Sequence, residues 1–252
     1  MKIMVINTKG GASKSTFAFQ VLGTYFLEKS EDGELIELDD ENKDSNIFEE
    51  SEIKTSTALV GQNRDDVSQT LKEVFEKEGN LIFDIGGNKT TTLVLEALQR
   101  TRLYHLVDLF LIPMSGGSQD YINAKRTYEI LEKFNKPIVF GLSRVRRIDR
   151  IRIQYQEFFR DFPKYPYMVL IDHDAIDLSR KLKKSVFEIA KETITGDNIK
   201  QLDKVIGEKM SAGEREEAYD LVNVQNILED SIEYEKNILQ PCYKQLDKVL
   251  GK

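Results

Sequence analysis

Six short runs of apolar, β-favouring residues recur along the chain, each followed by helical periodicity or a polar turn, and this alternation restricts the fold most. The runs are residues 2–7, 34–38, 80–85, 107–113, 136–142 and 167–171. They are apolar at consecutive positions rather than at every second one, so both faces of each strand need cover. Helical spacing follows in Phe17, Val21, Leu22, Tyr25 and Phe26, and again in Val67, Leu71, Val74 and Phe75. Further helices are expected over 91–101, 118–134, 149–162 and 175–193. The implied fold class is α/β, a mostly parallel sheet with helices on both faces. Residues 39–63 read as polar and irregular, with Asp39-Asp40 opening the loop. After Thr195 the strands stop. Ser211-Ala-Gly-Glu214 has capping-box spacing, and the helix it opens is expected to end at Gln240-Pro241. The expected domains are 1–195 and a helical extension, 196–252, packed on the domain or in a dimer.

Composition excludes several functions. Cys242 is the lone cysteine of 252 residues, so there is no disulfide framework, zinc finger or multi-thiolate cluster. No apolar run approaches the roughly 18–20 residues that span a bilayer, and the apolar part of residues 1–6 is short for a signal peptide. A cytoplasmic location is the expectation. His105 and His173 lack metal-ligand spacing and read as ordinary polar residues, and Cys242 as unreactive.

The stretch Asn7-Thr8-Lys9-Gly10-Gly11-Ala12-Ser13-Lys14-Ser15-Thr16 sits between the first strand and the first helix. Glycines there let backbone amides turn inward, and the helix start adds partial positive charge, so the turn suits a phosphate chain. The ordinary P-loop pattern does not match, because Thr8 and Ser13 stand where it requires glycines. What matches is a variant with a second, early lysine, K-G-G-x-x-K-[ST]. On these residues the chain resembles the ParA/MinD superfamily of partition and positioning ATPases, closest in character to ParA-like plasmid partition ATPases. The plain alternative is a Gly turn flanked by solvated lysines.

The resemblance implies ATP and Mg2+ as cofactors and a homodimer closed by ATP. Residues Gly10, Gly11, Ala12, Ser13, Lys14, Ser15 and Thr16 would hold the nucleotide. Lys14 would bind phosphates in its own subunit, Thr16 the α-phosphate side, and Lys9 the nucleotide of the partner subunit. Two further motifs carry acidic groups to strand ends. Leu35-Ile-Glu-Leu-Asp39 offers Asp39, with Glu37 in place of a second aspartate, to orient the attacking water or the magnesium shell. Leu81-Ile-Phe-Asp84 reads as a Walker B strand whose Asp84 would join Ser15 around magnesium, and Gly86-Gly87 after it suits a loop that senses the γ-phosphate. The expected catalytic residues are therefore Lys9, Lys14 and Asp39, and the expected metal ligands Ser15 and Asp84. The turn at Pro113 to Ser115 and Ser118 fits the same pattern, and the place of an adenine contact falls near Ser143-Arg144.

The formal net charge of −7 hides a segregated patch. Residues 144–184 hold eleven Lys/Arg against six Asp/Glu, a local +5, which leaves −12 for the rest. Such a patch binds phosphate backbones without reading bases. Arg146, Arg147, Arg150 and Arg152 are the expected DNA contacts, with Lys181, Lys183 and Lys184 as additions; the bland alternative is a solvated helix face. The combined expectation is an ATP-dependent dimerising switch that partitions or positions DNA, binds it non-specifically in the ATP state, and answers to a ParB-like or other adaptor, on nucleoid or plasmid. The alternatives are an accessory ATPase of conjugation or mobilisation, a MinD-like membrane-associated positioning ATPase, and a non-enzymatic adaptor. Membrane binding is disfavoured because residues 241–252 form only a short amphipathic stretch containing Asp247.

Overall fold

The computed structural model describes residues 1–39, 48–61 and 63–252. Asp40, expected to open a polar loop, lies outside them. The chain divides into two compact units: one holds residues 1–46, 52–172 and 242–252, the other 47–51 and 173–241. The division after Asp172 falls earlier than the boundary at 195 expected from the end of the strands, and the last eleven residues belong to the first unit.

The first unit is built on seven parallel strands, β1 (Lys2–Val5), β2 (Gly33–Asp39), β3 (Lys54–Leu59), β4 (Asn80–Ile85), β5 (Leu109–Ser115), β6 (Ile138–Val145) and β7 (Tyr167–Ile171), in the order β3-β2-β4-β1-β5-β6-β7. Six of them contain or overlap the apolar runs. The seventh, β3, was missed within the segment read as irregular. It is an edge strand, Lys-Thr-Ser-Thr-Ala-Leu, paired only with β2, and most of its residues are exposed or half-buried. An edge strand needs no continuous apolar run, and its signal is β-branched Thr55 and Thr57.

The direction of each crossover decides which face a helix covers. The chain first steps outward from β1 through α1 (Lys14–Phe17), the π-helical turn Ala18–Gly23 and α2 (Thr24–Glu28) to β2. The step from β2 to the edge strand β3 continues outward, and the four crossovers after β3 run the other way, through α3 (Arg64–Glu76), α4 (Asn88–Thr101), α5 (Ser118–Leu131), and α6 (Ile151–Gln154) with α7 (Gln156–Asp161). Right-handed connections therefore put α3, α4, α5 and α7 on one face and only the first helix on the other. On the well-covered face Met4, Ile36, Phe83, Phe110, Ile112 and Phe140 form the core with Val67, Leu71, Val94, Leu98, Tyr128 and Phe158. The sparse face takes the last helix, α12 (Gln240–Leu250). Its Cys242, Tyr243 and Leu246 are buried; Cys242 Sγ lies 3.5 Å from the Val169 carbonyl, and the Tyr243 hydroxyl donates to Thr24 at 2.8 Å. The Tyr25 hydroxyl donates to Asp247 at 2.8 Å, and Lys29 pairs with the same carboxylate at 2.9 Å.

The second unit is helical: α8 (Asp174–Leu182), α9 (Val186–Thr195), α10 (Asp197–Ala212) and α11 (Arg215–Tyr234), around Leu178, Ile189 and Leu228. Three local expectations change here. The helix expected over 175–193 breaks at Lys183 and restarts on Ser185, which forms a full capping box with Glu188. The capping box expected at Ser211–Glu214 is absent: Ser211 lies inside α10, bonded to the Gly207 carbonyl, and Gly213 ends that helix at φ +83°. The helix expected to stop at Gln240-Pro241 instead widens into a π turn, Glu235–Leu239, and continues as α12. Pro241, near the start of α12, stands where the missing amide costs little once the hydrogen-bond register has shifted. In the first unit, the helix expected over 149–162 is likewise divided, by Tyr155.

Candidate functional site

The carboxyl ends of β1, β2, β4 and β5 share one edge of the sheet, and chain order reverses around β1, the place where open parallel sheets bind ligands. Asn7 builds the loop that leaves β1. It is fully buried; its Nδ2 donates to the Pro113 carbonyl at 2.6 Å, and its Oδ1 accepts the Lys9 amide at 3.0 Å. The Thr8 amide donates to Thr127 on α5 at 3.2 Å. So fixed, the backbone turns through Gly11 at φ +73° and Ser13 at φ +63°. Ser13 thus adopts the left-handed conformation that a glycine would take more easily. Cβ atoms built on Gly10 or Gly11 meet nothing within 4 Å, so the outer side of the loop is open.

The first amides of α1 have no carbonyl one turn back, and no side chain caps them. Lys14 is 8% exposed, and its Nζ donates to the Lys9 carbonyl at 3.2 Å, spanning the loop from inside. Two carboxylates stand nearby in the topology. Asp39 ends β2, Asp84 lies one residue before the end of β4, and they are 3% and 4% exposed. Glu37 is directly beside Asp84 in the ladder, and Val5 flanks Asp84 on the other side. Gly86 lies so close to Asp39 that an added Cβ would stand 2.6 Å from its Cγ. This close approach, rather than a positive φ, is what requires the glycine. Thr91 on α4 ties the two loops by bonding the carbonyls of Asn7 and Gly86, both at 3.2 Å.

Lys9 leaves the loop toward α5, where its ammonium pairs with Asp120, and Ser115 donates to the other oxygen of that carboxylate. Asn7, Thr91, Ser115, Asp120 and Thr127 are the members of this site that sequence reasoning did not assign. Only the turn at Pro113 to Ser118 hinted at one of them, Ser115.

The donor set decides what the site could hold. A buried ammonium, helix-start amides that no side chain caps, hydroxyls at Ser15 and Thr16, and two buried carboxylates suit a polyphosphate with a hard divalent cation. Among the described residues no group of three or more His, Cys, Asp or Glu could hold a metal alone. Magnesium takes one or two carboxylates together with substrate phosphates. His173 is a helix cap, its Nδ1 accepting the Ala175 amide at 3.1 Å, and its ring packs 5.4 Å from Tyr234.

The expected DNA contacts lie just beyond β6. Arg146, Arg147, Arg150 and Arg152 are all exposed. Arg147 makes a two-pronged pair with Asp149, and the Arg152 guanidinium lies 4.9 Å from the centre of the Phe159 ring. Among the described residues Arg146 and Arg150 make no ion pair. In the second unit Lys183 pairs with Glu49 and Lys184 with Glu192, which raises both ammonium pKa values through those hydrogen bonds.

No family model matches the sequence, and no curated protein does. Solved structures do. The MinC:MinD cell division protein complex of Aquifex aeolicus superposes with a TM-score of 0.55 at 14% identity, over 76% of this chain and 88% of that one. MinD cell division protein of Aquifex aeolicus gives 0.52 at 15% identity, over 73% and 87%. Apo McdA of Cyanthece gives 0.52 at 13% identity, over 72% and 90%. The chain therefore has the fold of the ParA/MinD ATPases.

Proposed function

We propose that this chain is an ATP-dependent dimerising switch that partitions or positions DNA. The observation that carries the reading is the convergence of an open, left-handed Gly11–Ser13 loop, a buried Lys14 and two buried carboxylates, Asp39 and Asp84, on one sheet edge. The loop amides and Lys14 bind the β- and γ-phosphates, and Thr16 the α-phosphate side. Ser15 and Asp84 hold magnesium, and Asp39 orients the attacking water. Magnesium would supply charge neutralisation at the phosphates. Lys9 exchanges its Asp120 partner for a phosphate on the second subunit, so ATP closes the dimer. An adaptor of the ParB kind then stimulates hydrolysis.

The exposed arginines of 146–152 supply non-specific DNA affinity in the closed state. A MinD-like terminal membrane anchor is less well supported, because Cys242, Tyr243 and Leu246, the apolar side of α12, are already buried. No helix among the described residues is long and apolar enough to cross a membrane.

The experiment is ATP binding and hydrolysis by wild type and Lys14→Ala, with DNA binding measured in ATP and in ADP across a salt series. The reading expects slow hydrolysis, loss of nucleotide binding in the variant, and salt-sensitive DNA binding in ATP alone. Equal ATP affinity in the two proteins would remove the site assignment. Absence of DNA binding at low salt with ATP and magnesium would remove the DNA role.

A further inference from the structure

One glutamine joins the arginine segment to the loop that follows β5. The Gln154 Nε2 donates to the Arg144 carbonyl at 2.9 Å, and its Oε1 accepts the Arg146 amide at 3.1 Å. The two bonds bracket Val145, directly after Arg144 at φ +54°, where the pairing of β6 with β7 becomes irregular. The same amide presses on Gly116: a Cβ there would stand 2.8 Å from Gln154 Nε2 and 2.9 Å from its Cγ. Tyr155 reinforces the junction. Its hydroxyl donates to the Ser143 carbonyl.

Gly116 follows Ser115, which donates to Asp120, the carboxylate that holds Lys9. Contacts therefore run without a break from Lys9 through Asp120, Ser115, Gly116 and Gln154 to the backbone of Arg144 and Arg146. Beside them opens a cavity of about 450 Å3 lined by Gly116, Arg146, Arg147, Arg150, Ile153 and Gln154.

We propose that Gln154 is a positioning residue that locks the arginine segment to the β5–α5 loop, so that the partner chosen by Lys9 sets the affinity of the arginines for a phosphodiester backbone. This rests on the nucleotide-gated DNA reading above. The two-state element is Lys9 itself, which has two mutually exclusive anionic partners, Asp120 and a nucleotide phosphate. Gln154 touches neither nucleotide nor DNA in this scheme. It acts by keeping Arg146 and its neighbours in register with a loop that responds to Lys9.

The test compares DNA affinity in ATP with that in ADP, using a duplex of random sequence, for wild type, Gln154→Met, Gly116→Ala and the double variant. Gln154→Met keeps the bulk and removes both hydrogen bonds. Gly116→Ala leaves Gln154 in place but displaces its amide. Each single variant should lower the ATP-to-ADP affinity ratio by about ten- to thirtyfold, as the loss of two hydrogen bonds implies. ATP affinity should stay within about twofold of wild type, which a merely destabilised protein would not show. The double variant should be no worse than either single one, because both act on one contact. A wild-type ratio in Gln154→Met, with ATP affinity intact, overturns the positioning role alone. A wild type with no ATP-dependent DNA binding overturns the nucleotide-gated reading and this role together.

Discussion

Gly86→Ala tests the catalytic edge most directly. The added Cβ would lie 2.6 Å from Asp39 Cγ and 2.7 and 2.9 Å from its two carboxylate oxygens. Ordinary carbon contacts begin near about 3.5 Å, so the carboxylate or the loop has to yield by on the order of 1 Å. Asp39 is 3% exposed and has little room to retreat, and the Gly86 amide is itself bonded to the Leu38 carbonyl at 2.7 Å. Overpacking of this kind costs about 1–3 kcal/mol, which for a chain of this size is a melting-point fall of roughly 2–12 °C. The functional effect should be larger than the structural one. A displacement of about 1 Å in a group that orients the attacking water costs on the order of a hundredfold in rate. The assay is kcat for ATP hydrolysis beside the Kd of a non-hydrolysable analogue. The expected result is a hundredfold loss in kcat with a Kd within about threefold of wild type, because the phosphate loop is untouched. A folded variant with wild-type kcat would refute the role of Asp39. A lost Kd with normal kcat at saturation would show that Gly86 serves binding instead.

Ser13→Gly relieves a left-handed serine worth about 1–2 kcal/mol of strain, less about 0.4–1 kcal/mol for the freer unfolded chain, so the net is a small gain in melting temperature; a fall would refute the strain. Burial pushes the Cys242 thiol up to about 12, so at pH 8 roughly one part in ten thousand is thiolate and the native protein should resist a thiol reagent that labels it once unfolded. Fast labelling of the native protein would refute the docking of α12. Burial opposes the Asp247 carboxylate, but Lys29 and Tyr25 outweigh it and hold its pKa below the ordinary value. Its contribution is therefore present above the unfolded value and lost as pH falls through the folded one. The melting-point deficit of Asp247→Asn at pH 7 should shrink below about pH 4. A deficit that does not change with pH would mean that packing, not charge, is what Asp247 provides.

What the sequence disclosed and what it hid divide along a physical line. Residues whose placement follows from local geometry were legible: the glycine turn with its two lysines between β1 and α1, and acidic residues at the ends of apolar strands. β7 was expected at Tyr167–Ile171 and is found there, because a run bounded by Pro166 and Asp172 has few other options. Edge strand β3 was not legible, since exposed threonines carry no burial pattern. The spacing S-x-x-E occurs at both Ser185 and Ser211, and the downstream Gly213, able to end α10 at positive φ, was the cue for rejecting the second. Site members supplied by tertiary bonds were hidden altogether. Asn7 and Pro113, and Lys9 and Asp120, are each more than a hundred residues apart in sequence, and no local pattern links them.

The two loop lysines carry the same charge, and the fold gives them different freedoms. Lys14 is nearly enclosed and bonded to the backbone of its own loop, so in the proposed role its ammonium would need little movement to meet a phosphate. The Lys9 side chain is 36% exposed and is restrained by one carboxylate at the start of α5. Only the lysine side of this pair is exposed, so a polyphosphate of higher charge can compete for Lys9 from the open side of the loop. Asp120 is not stranded by the exchange, because Ser115 still donates to it. A lysine meant to serve a second subunit has to be releasable in this way, while one meant for its own nucleotide gains from being fixed. On the proposed reading, the difference in burial between Lys9 and Lys14 is what would separate a switch that closes on a partner from a loop that only binds ATP.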